Sequence, residues 1–238
     1  MFEPLVLLPD MMCDARLFQS VISEFSATRT IIIPNFGSEP TIELMANSVL
    51  QALPERFALI GAGLGGAIAM DIVRRDPKRV SHLALMSCSP LAETPQTAAS
   101  RESKIIGAKI GRLDEVVREE LQTGLLAPSD RKLAHQNLLV DMAVSLGSEV
   151  YVTQARALQR RLDQQATLRR LRLPSAVICG AQDEMFPLKR QEFMAELIPH
   201  ASFHVIETSG HFPTLEAPEE VNGILSSLLT KQDAAVQA

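Results

Sequence analysis

The chain has 238 residues, of which 46% are hydrophobic, and a formal net charge of −5. This length suits one domain with a substantial core, and the acidic balance argues against nucleic acid as a partner. No apolar run approaches the roughly 18 residues that a membrane-spanning helix needs. The three cysteines lack metal-ligand spacing, and the amino terminus lacks the basic start of a signal peptide. We therefore expect a cytoplasmic protein with no membrane segment and no metal site.

Short apolar runs alternate with helical patterns along the first ninety residues, which favours an α/β fold. The runs are nearly continuous in Val, Ile, Leu and Ala, as in parallel strands that are buried on both faces. We expect strands at residues 5–8, 30–33, 57–60 and 80–86, and helices at residues 14–25, 41–53 and 65–75.

The pattern changes after Pro90, where residues 91–172 show helical periodicity without a convincing strand. We interpret this segment as a helical cap inserted into a core domain of residues 1–90 and 173–238. Its arginine-rich end predicts a solvated helix face, with a substrate-guiding basic face as the alternative. Strands at 176–179 and 202–206, helices at 188–198 and 218–229, and a frayed tail at 231–238 complete the map.

The segment FALIGAGLGGA at residues 57–67 predicts a strand, a glycine-rich turn and the start of a helix. Gly61, Gly63 and Gly66 match the dinucleotide fingerprint G-x-G-x-x-G. Gly61, Gly63 and Gly65 match the nucleophile elbow G-x-S-x-G, with glycine in place of serine. The dinucleotide interpretation is the weaker one, because no carboxylate ends the following strand to hold a ribose.

Two polar side chains follow the last two predicted strands. Asp183 comes after the strand at 176–179, and His211 comes after the strand at 202–206. Functional groups collect at the carboxyl ends of parallel strands, and histidine accepts a proton near neutral pH. Residue 63, Asp183 and His211 therefore follow the chain order nucleophile, acid and base.

The chain resembles the α/β-hydrolase fold family along essentially its whole length. The similarity is carried by four segments: LLPDMMCDARLF (7–18), LIGAGLGGAIA (59–69), GAQDEMFP (180–187) and SGHFPTLEAPEEV (209–221). The resemblance implies a mostly parallel sheet flanked by helices, with the cap at residues 91–172. It also implies Asp183 as the acid that orients His211, and His211 as the general base. The backbone N–H groups of Leu64 and Met11 would be the oxyanion donors.

Two departures from the family pattern bear on the chemistry. Pro9-Asp10 stands where the family often has His-Gly, and Gly63 occupies the serine position. Glycine has no nucleophilic atom, so three explanations remain open. A native serine was replaced, for example by engineering; or water activated by His211 fills the space; or the pocket only binds a ligand. We favour the first over the second.

These observations predict a hydrolase that cleaves a carboxylic ester or amide of a small, partly apolar molecule without metal or organic cofactor. Two alternatives stay open, namely a non-catalytic ligand-binding or interaction protein on the same fold, and a cofactor-free lyase with His211 as base. Cys13 is a further nucleophile candidate, although a small packed cysteine is the stronger interpretation. The oligomeric state has no signature in the sequence.

Overall fold

A six-stranded, entirely parallel sheet forms the centre of the described part of the chain. The structure is a computed structural model that describes residues 2–37 and 39–230. The strands are β1 (Leu5–Leu8), β2 (Ile31–Ile32), β3 (Phe57–Ala62), β4 (Val80–Met86), β5 (Ser175–Gly180) and β6 (Ser202–Ile206). Their order across the sheet is β2-β1-β3-β4-β5-β6. The expected mostly parallel sheet is confirmed.

Helices cover both faces of the sheet. They are α1 (Gln19–Phe25), α2 (Ile42–Ala52), α3 (Gly63–Arg75), α4 (Pro95–Lys109), α5 (Leu113–Leu121), α6 (Lys132–Leu146), α7 (Ser148–Gln159), α8 (Gln165–Leu168), α9 (Leu188–Leu197), α10 (Pro213–Glu216) and α11 (Pro218–Leu229). Alternate residues of one strand enter different cores, because side chains alternate across a sheet. Leu5 and Leu7 pack in one core with α11 residues, whereas Val6 and Leu8 pack in the other with α2 and α3 residues. This two-sided burial explains the continuous apolar runs.

The expected elements are present, with shifted boundaries. The second strand is only Ile31–Ile32, shorter than the expected 30–33. The expected helix at 14–25 begins as a 3₁₀ turn, Ala15–Phe18, because the Asp14 side chain accepts the Arg16 N–H and caps that turn. The helix expected to start at residue 65 starts at Gly63, directly after the strand.

The segment between β4 and β5 contains α4 to α8 and, among its described residues, no strand. That arrangement agrees with helical periodicity, while its division into a separate cap domain stays a prediction. The tail at 231–238 lies outside the described residues. None of the helices in the described part of the chain is long and apolar enough to cross a bilayer.

Candidate active site

Gly63 is the first residue of α3 and follows β3 directly, at the carboxyl edge of the sheet. Gly63 has φ +48°, a left-handed conformation that favours glycine. Two residues later, a Cβ on Gly65 would overlap the carbonyl oxygen of Leu8 in β1. The amide of Gly65 also donates to the carbonyl of Pro9, 3.1 Å away. These close approaches dock the loop after β1 directly against the start of α3.

Asp183 and His211, far apart in sequence, form a hydrogen-bonded pair. His211 Nδ1 lies 2.8 Å from Asp183 Oδ2, and both side chains are buried. The other Asp183 oxygen accepts the backbone N–H groups of Met185 (2.9 Å) and Phe186 (3.0 Å). Burial raises the pKa of Asp183, but the His211 charge and these hydrogen bonds outweigh burial and lower it. The carboxylate that contacts His211 Nδ1 is thus Asp183, whereas Glu184 is exposed.

The two expected oxyanion donors converge on one point. The backbone N–H of Met11 lies 2.6 Å from Asp10 Oδ1, and that of Leu64 lies 2.7 Å from the same oxygen. Two N–H groups aimed at one oxygen form the arrangement that stabilises a developing oxyanion. Here the oxygen they hold belongs to the protein itself.

Asp10 occupies the place where a side chain at position 63 would lie. A Cβ built on Gly63 would overlap the Asp10 carboxylate. The second carboxylate oxygen, Oδ2, lies 3.0 Å from His211 Nε2. The nucleophile position therefore contains a carboxylate from the loop after β1. A side chain at residue 63 therefore requires the Asp10 side chain to move, and the replacement of a native serine, which the sequence analysis favoured, stays a prediction.

The loop that presents Asp10 is fixed from several sides. The Cys13 N–H donates to the Asp10 carbonyl at 3.0 Å, and the Met12 N–H donates to Gln154 Oε1 of α7 at 2.8 Å. Met12 adopts φ +56°, an uncommon backbone conformation for a non-glycine residue. Such strained residues persist where the surrounding structure holds them. Contacts from the core and from the helical insertion thus position the Asp10 carboxylate.

His211 lies between two carboxylates, and this sets its charge. Burial lowers its pKa, but the Asp183 charge, the hydrogen bonds with Asp10 and Asp183 and the Asp10 charge raise it to about 10. His211 is consequently an imidazolium at neutral pH. The general-base role expected from the sequence requires His211 to lose a proton first, which happens only when one carboxylate is withdrawn or neutralised.

A pocket of about 90 Å³ opens onto these groups, so only a small ligand fits without rearrangement. Asp10, Met11, Gly63, Leu64 and His211 line it on the core side. The remaining wall is largely apolar and includes Val117, Leu121, Leu125, Leu139, Ala143, Leu158, Met185, Phe186 and Phe212. Such a wall suits a molecule with an apolar body.

Two arginines add positive charge to the same pocket. Arg101 Nη2 lies 2.7 Å and Arg161 Nη1 lies 3.6 Å from one oxygen of Glu93, whose side chain is only 1% exposed. Arg101 and Arg161 both line the pocket. Glu120 also lines the pocket, so this part of the wall contains charged groups of both signs. Arg161 belongs to the segment that the sequence analysis assigned to solvent, yet its side chain is only 11% exposed.

Comparisons with known proteins agree with this architecture. Residues 22–218 match the family model described as alpha/beta hydrolase fold. The chain belongs to this family. The expected family and fold are therefore confirmed, and they support the hydrolase interpretation of the glycine-rich turn over the dinucleotide one.

Curated relatives of this alpha/beta hydrolase are esterases and hydrolases. A pimeloyl-[acyl-carrier protein] methyl ester esterase of Aromatoleum aromaticum is 28% identical over 81% of this chain and 83% of its own. A 2-hydroxymuconate semialdehyde hydrolase of a Pseudomonas species is 27% identical over 90% and 81%. The expected esterase-type hydrolase class is confirmed by these comparisons.

Solved structures share the fold at lower identity. A thermophilic esterase from Thermogutta terrifontis superposes with a TM-score of 0.88 and 22% identity over 95% of this chain and 89% of that one. An enol-lactonase from Burkholderia xenovorans superposes with a TM-score of 0.86 and 16% identity over 97% and 93%. At these identities the likeness demonstrates the fold alone.

The sequence analysis overlooked Asp10, Arg101 and Arg161 as site residues. One signal was available, because both departures from the family pattern, Pro9-Asp10 and Gly63, fall in segments that form the site. His135 of α6 is buried. Cys13 lines the pocket, yet burial raises the pKa of its thiol well above the usual value, so it is a poor nucleophile.

Proposed function

We propose that this alpha/beta hydrolase cleaves a carboxylic ester or amide of a small, partly apolar molecule bound in the pocket beneath α4 to α7. One observation carries the proposal: the Asp183–His211 pair is directed at the point where the Met11 and Leu64 N–H groups converge. The apolar wall and the esterase relatives support the same reaction class.

The reaction begins when the substrate carbonyl oxygen displaces Asp10 from the two N–H groups. These donors then stabilise the negative charge that develops on that oxygen. Withdrawal of the Asp10 carboxylate removes one of the two anionic neighbours of His211, so the pKa of the imidazole falls toward neutral values and a fraction of the imidazolium loses its proton to solvent. Because Gly63 has no side chain, a water molecule has room to approach the carbonyl carbon.

Neutral His211 then takes a proton from that water as the water oxygen bonds to the carbonyl carbon. Asp183 orients the ring and stabilises the imidazolium. When the tetrahedral intermediate breaks down, His211 returns the proton to the oxygen of the departing alcohol or to the nitrogen of the departing amine. This route lacks a covalent nucleophile, and serine-triad enzymes without their nucleophile retain only about 10³–10⁴-fold catalysis over water. We expect slow turnover.

The test uses p-nitrophenyl acetate and butyrate with four proteins: the unaltered chain, His211→Gln, Asp10→Gly and the double variant Asp10→Gly/Gly63→Ser. The double variant frees the oxyanion donors and supplies a serine without overlap. We expect it to form an acyl-serine and to exceed the unaltered chain by about 10³-fold or more. The unaltered chain should exceed His211→Gln.

The Asp10→Gly single variant is the matched control for the serine. If the unaltered chain and His211→Gln hydrolyse both esters at the same background rate, the proposed route with His211 as base is refuted. An active double variant beside an inert unaltered chain would show that the fold is competent and that Asp10 has switched it off.

A second candidate, a non-catalytic ligand-binding protein, has one observation in its favour. The oxyanion donors are already occupied by Asp10, which also contacts the charged His211, so these groups have partners within the resting site. Saturable ligand binding without turnover, in both the unaltered chain and the double variant, would support this second candidate. The lyase alternative also needs His211 as base, and the raised pKa of His211 disfavours that role at neutral pH. Cleavage of a C–C bond by the unaltered chain would support the lyase alternative.

A further inference from the structure

The amino-terminal ends of three neighbouring strands, β3, β4 and β5, carry positively charged side chains. Arg56 directly precedes β3, Lys78 lies two residues before β4, and Arg172 lies three residues before β5. Because the strands are parallel and adjacent, these segments meet at the edge of the sheet opposite the candidate active site. Strand β4 runs from Val80 at this edge to Met86 at the other, so about 20 Å of strand separates the two edges.

A groove of about 650 Å³ lies at this amino-terminal edge. None of the described residues that line it is acidic, although the chain as a whole has a net charge of −5. Its five cationic residues are Arg56, Arg74, Lys78, Arg170 and Arg172. Its floor is apolar and consists of the buried side chains of Val73, Val80, Leu171 and Leu173. The groove therefore combines an apolar surface with charge of a single sign.

Two of the five cations have a carboxylate partner outside the groove. Arg56 Nε lies 2.6 Å from Glu3 Oε1. Arg74 Nη2 lies 2.6 Å from Asp71 Oδ1. Arg74 also lies in the last turn of α3, where the helix dipole favours a positive charge. The positions of these two arginines are therefore explained by the fold itself.

The other three cations, Lys78, Arg170 and Arg172, form no ion pair within residues 2–37 and 39–230. The Arg172 guanidinium donates to the Leu171 carbonyl, 2.9 Å away, which leaves its charge uncompensated. Arg170 and Arg172 lie in the irregular segment between α8 and β5, and α8 has only four residues and hence a small dipole. Contacts within the protein therefore do not account for this excess of three positive charges.

We propose that the groove binds an organic diphosphate with an aliphatic body. A diphosphate ester carries about three negative charges near neutral pH, which match the three cations without an acidic partner. Guanidinium groups present a planar fork that fits two phosphate oxygens. The aliphatic body packs on the valine and leucine floor. This site goes beyond the proposed hydrolysis and does not depend on it.

The size and the exposure of the groove support the same ligand class. Its volume lies in the range of about 300–1,000 Å³ that is typical of small-molecule sites. A protein partner would need a contact surface of about 800 Å² on each side. The cationic side chains are exposed, so water and salt weaken each single charge contact. A ligand with two linked phosphoryl groups can contact cations from different strands at the same time.

The experiment is isothermal titration calorimetry of the whole chain with geranyl diphosphate, inorganic pyrophosphate and geraniol at low ionic strength. Geranyl diphosphate should bind more tightly than either of its halves, because only the whole molecule uses both the cations and the floor. Lys78→Gln/Arg170→Gln removes two groove cations and should weaken its binding about tenfold. Lys109→Gln/Arg169→Gln, the matched control, removes two exposed cations outside the groove and should change binding by less than about twofold.

Several results would overturn the proposal. One is the absence of binding heat with geranyl diphosphate at low-millimolar concentration. Another is an equal loss of affinity in both double variants, which would indicate general attraction between charges. Equal affinity for pyrophosphate and geranyl diphosphate would rule out the aliphatic contact. Cosedimentation with phosphatidylcholine vesicles that contain phosphatidic acid, without binding of the soluble diphosphate, would assign the groove to a lipid surface instead. Binding is measured without turnover, so the proposed hydrolysis can fail independently.

Discussion

Replacing Asp10 with asparagine should lower the pKa of His211. The rise from 6.5 to about 10 corresponds to about 5 kcal/mol in favour of the imidazolium, shared between Asp183 and Asp10. Asparagine keeps the shape and can still accept the Met11 and Leu64 N–H groups, but it removes the charge 3.0 Å from Nε2. Since a close opposite charge typically shifts a pKa by about 1–3, we expect His211 in this variant to titrate between about 7 and 9.

The assay is NMR titration of imidazole signals in protein labelled at its five histidines. The His211 signal is assigned by its loss in His211→Gln. Asp114→Asn, which removes an exposed carboxylate paired with Arg118, is the control and should leave the titration unchanged. If His211 titrates identically in the Asp10→Asn variant and the unaltered chain, Asp10 does not govern its charge. The proposed hydrolysis, which depends on this coupling, would then lose its basis.

Three predictions concern stability. Gly65→Ala should lower the free energy of unfolding by about 2–3 kcal/mol, because its Cβ would overlap the Leu8 carbonyl; an unchanged denaturant midpoint would refute this close packing. Asp71→Asn should lower the free energy of unfolding by about 3 kcal/mol in chemical denaturation, since the buried carboxylate pairs with two arginines of α3. A decrease below about 0.5 kcal/mol, the scale of one exposed ion pair, would contradict this prediction. The His211 ion pairs should stabilise the fold fully below about pH 6.5, and this contribution should disappear as pH rises through about 10, which thermal melting against pH can detect.

The architecture was largely predictable because it depends on local patterns. The strand at Val80–Met86 and the helix at Pro218–Leu229 match their expected bounds, since each has a clear period and a clear stop signal. The boundary at Gly63 was missed by two residues. Glycine disfavours helices on its own, but close packing of the turn against β1 makes helix formation favourable there.

The site was predictable in part. Asp183, His211 and the two backbone donors could be located because each follows a strand in a segment that resembles the family pattern, and their catalytic roles stay predictions. The role of Asp10 could not be found this way. Its importance depends on distances to Gly63 and His211, which lie 53 and 201 positions away along the chain. Likewise, Arg161 resembles its exposed neighbours in sequence, and only the packing of the helical insertion turns it toward Glu93 and the pocket.

By itself, the sequence determined the class of fold, the chain order of the reactive groups and the absence of a side chain at residue 63. The class of fold follows from composition and from hydrophobic periodicities of two or about four residues, which act locally. The other two properties are given directly by the order of the residues along the chain. The tertiary structure alone decided that the Asp10 carboxylate occupies the position of a residue 63 side chain and holds His211 in its charged form. Charge and proximity in a buried site depend on which segments meet in space, and no local pattern encodes that meeting.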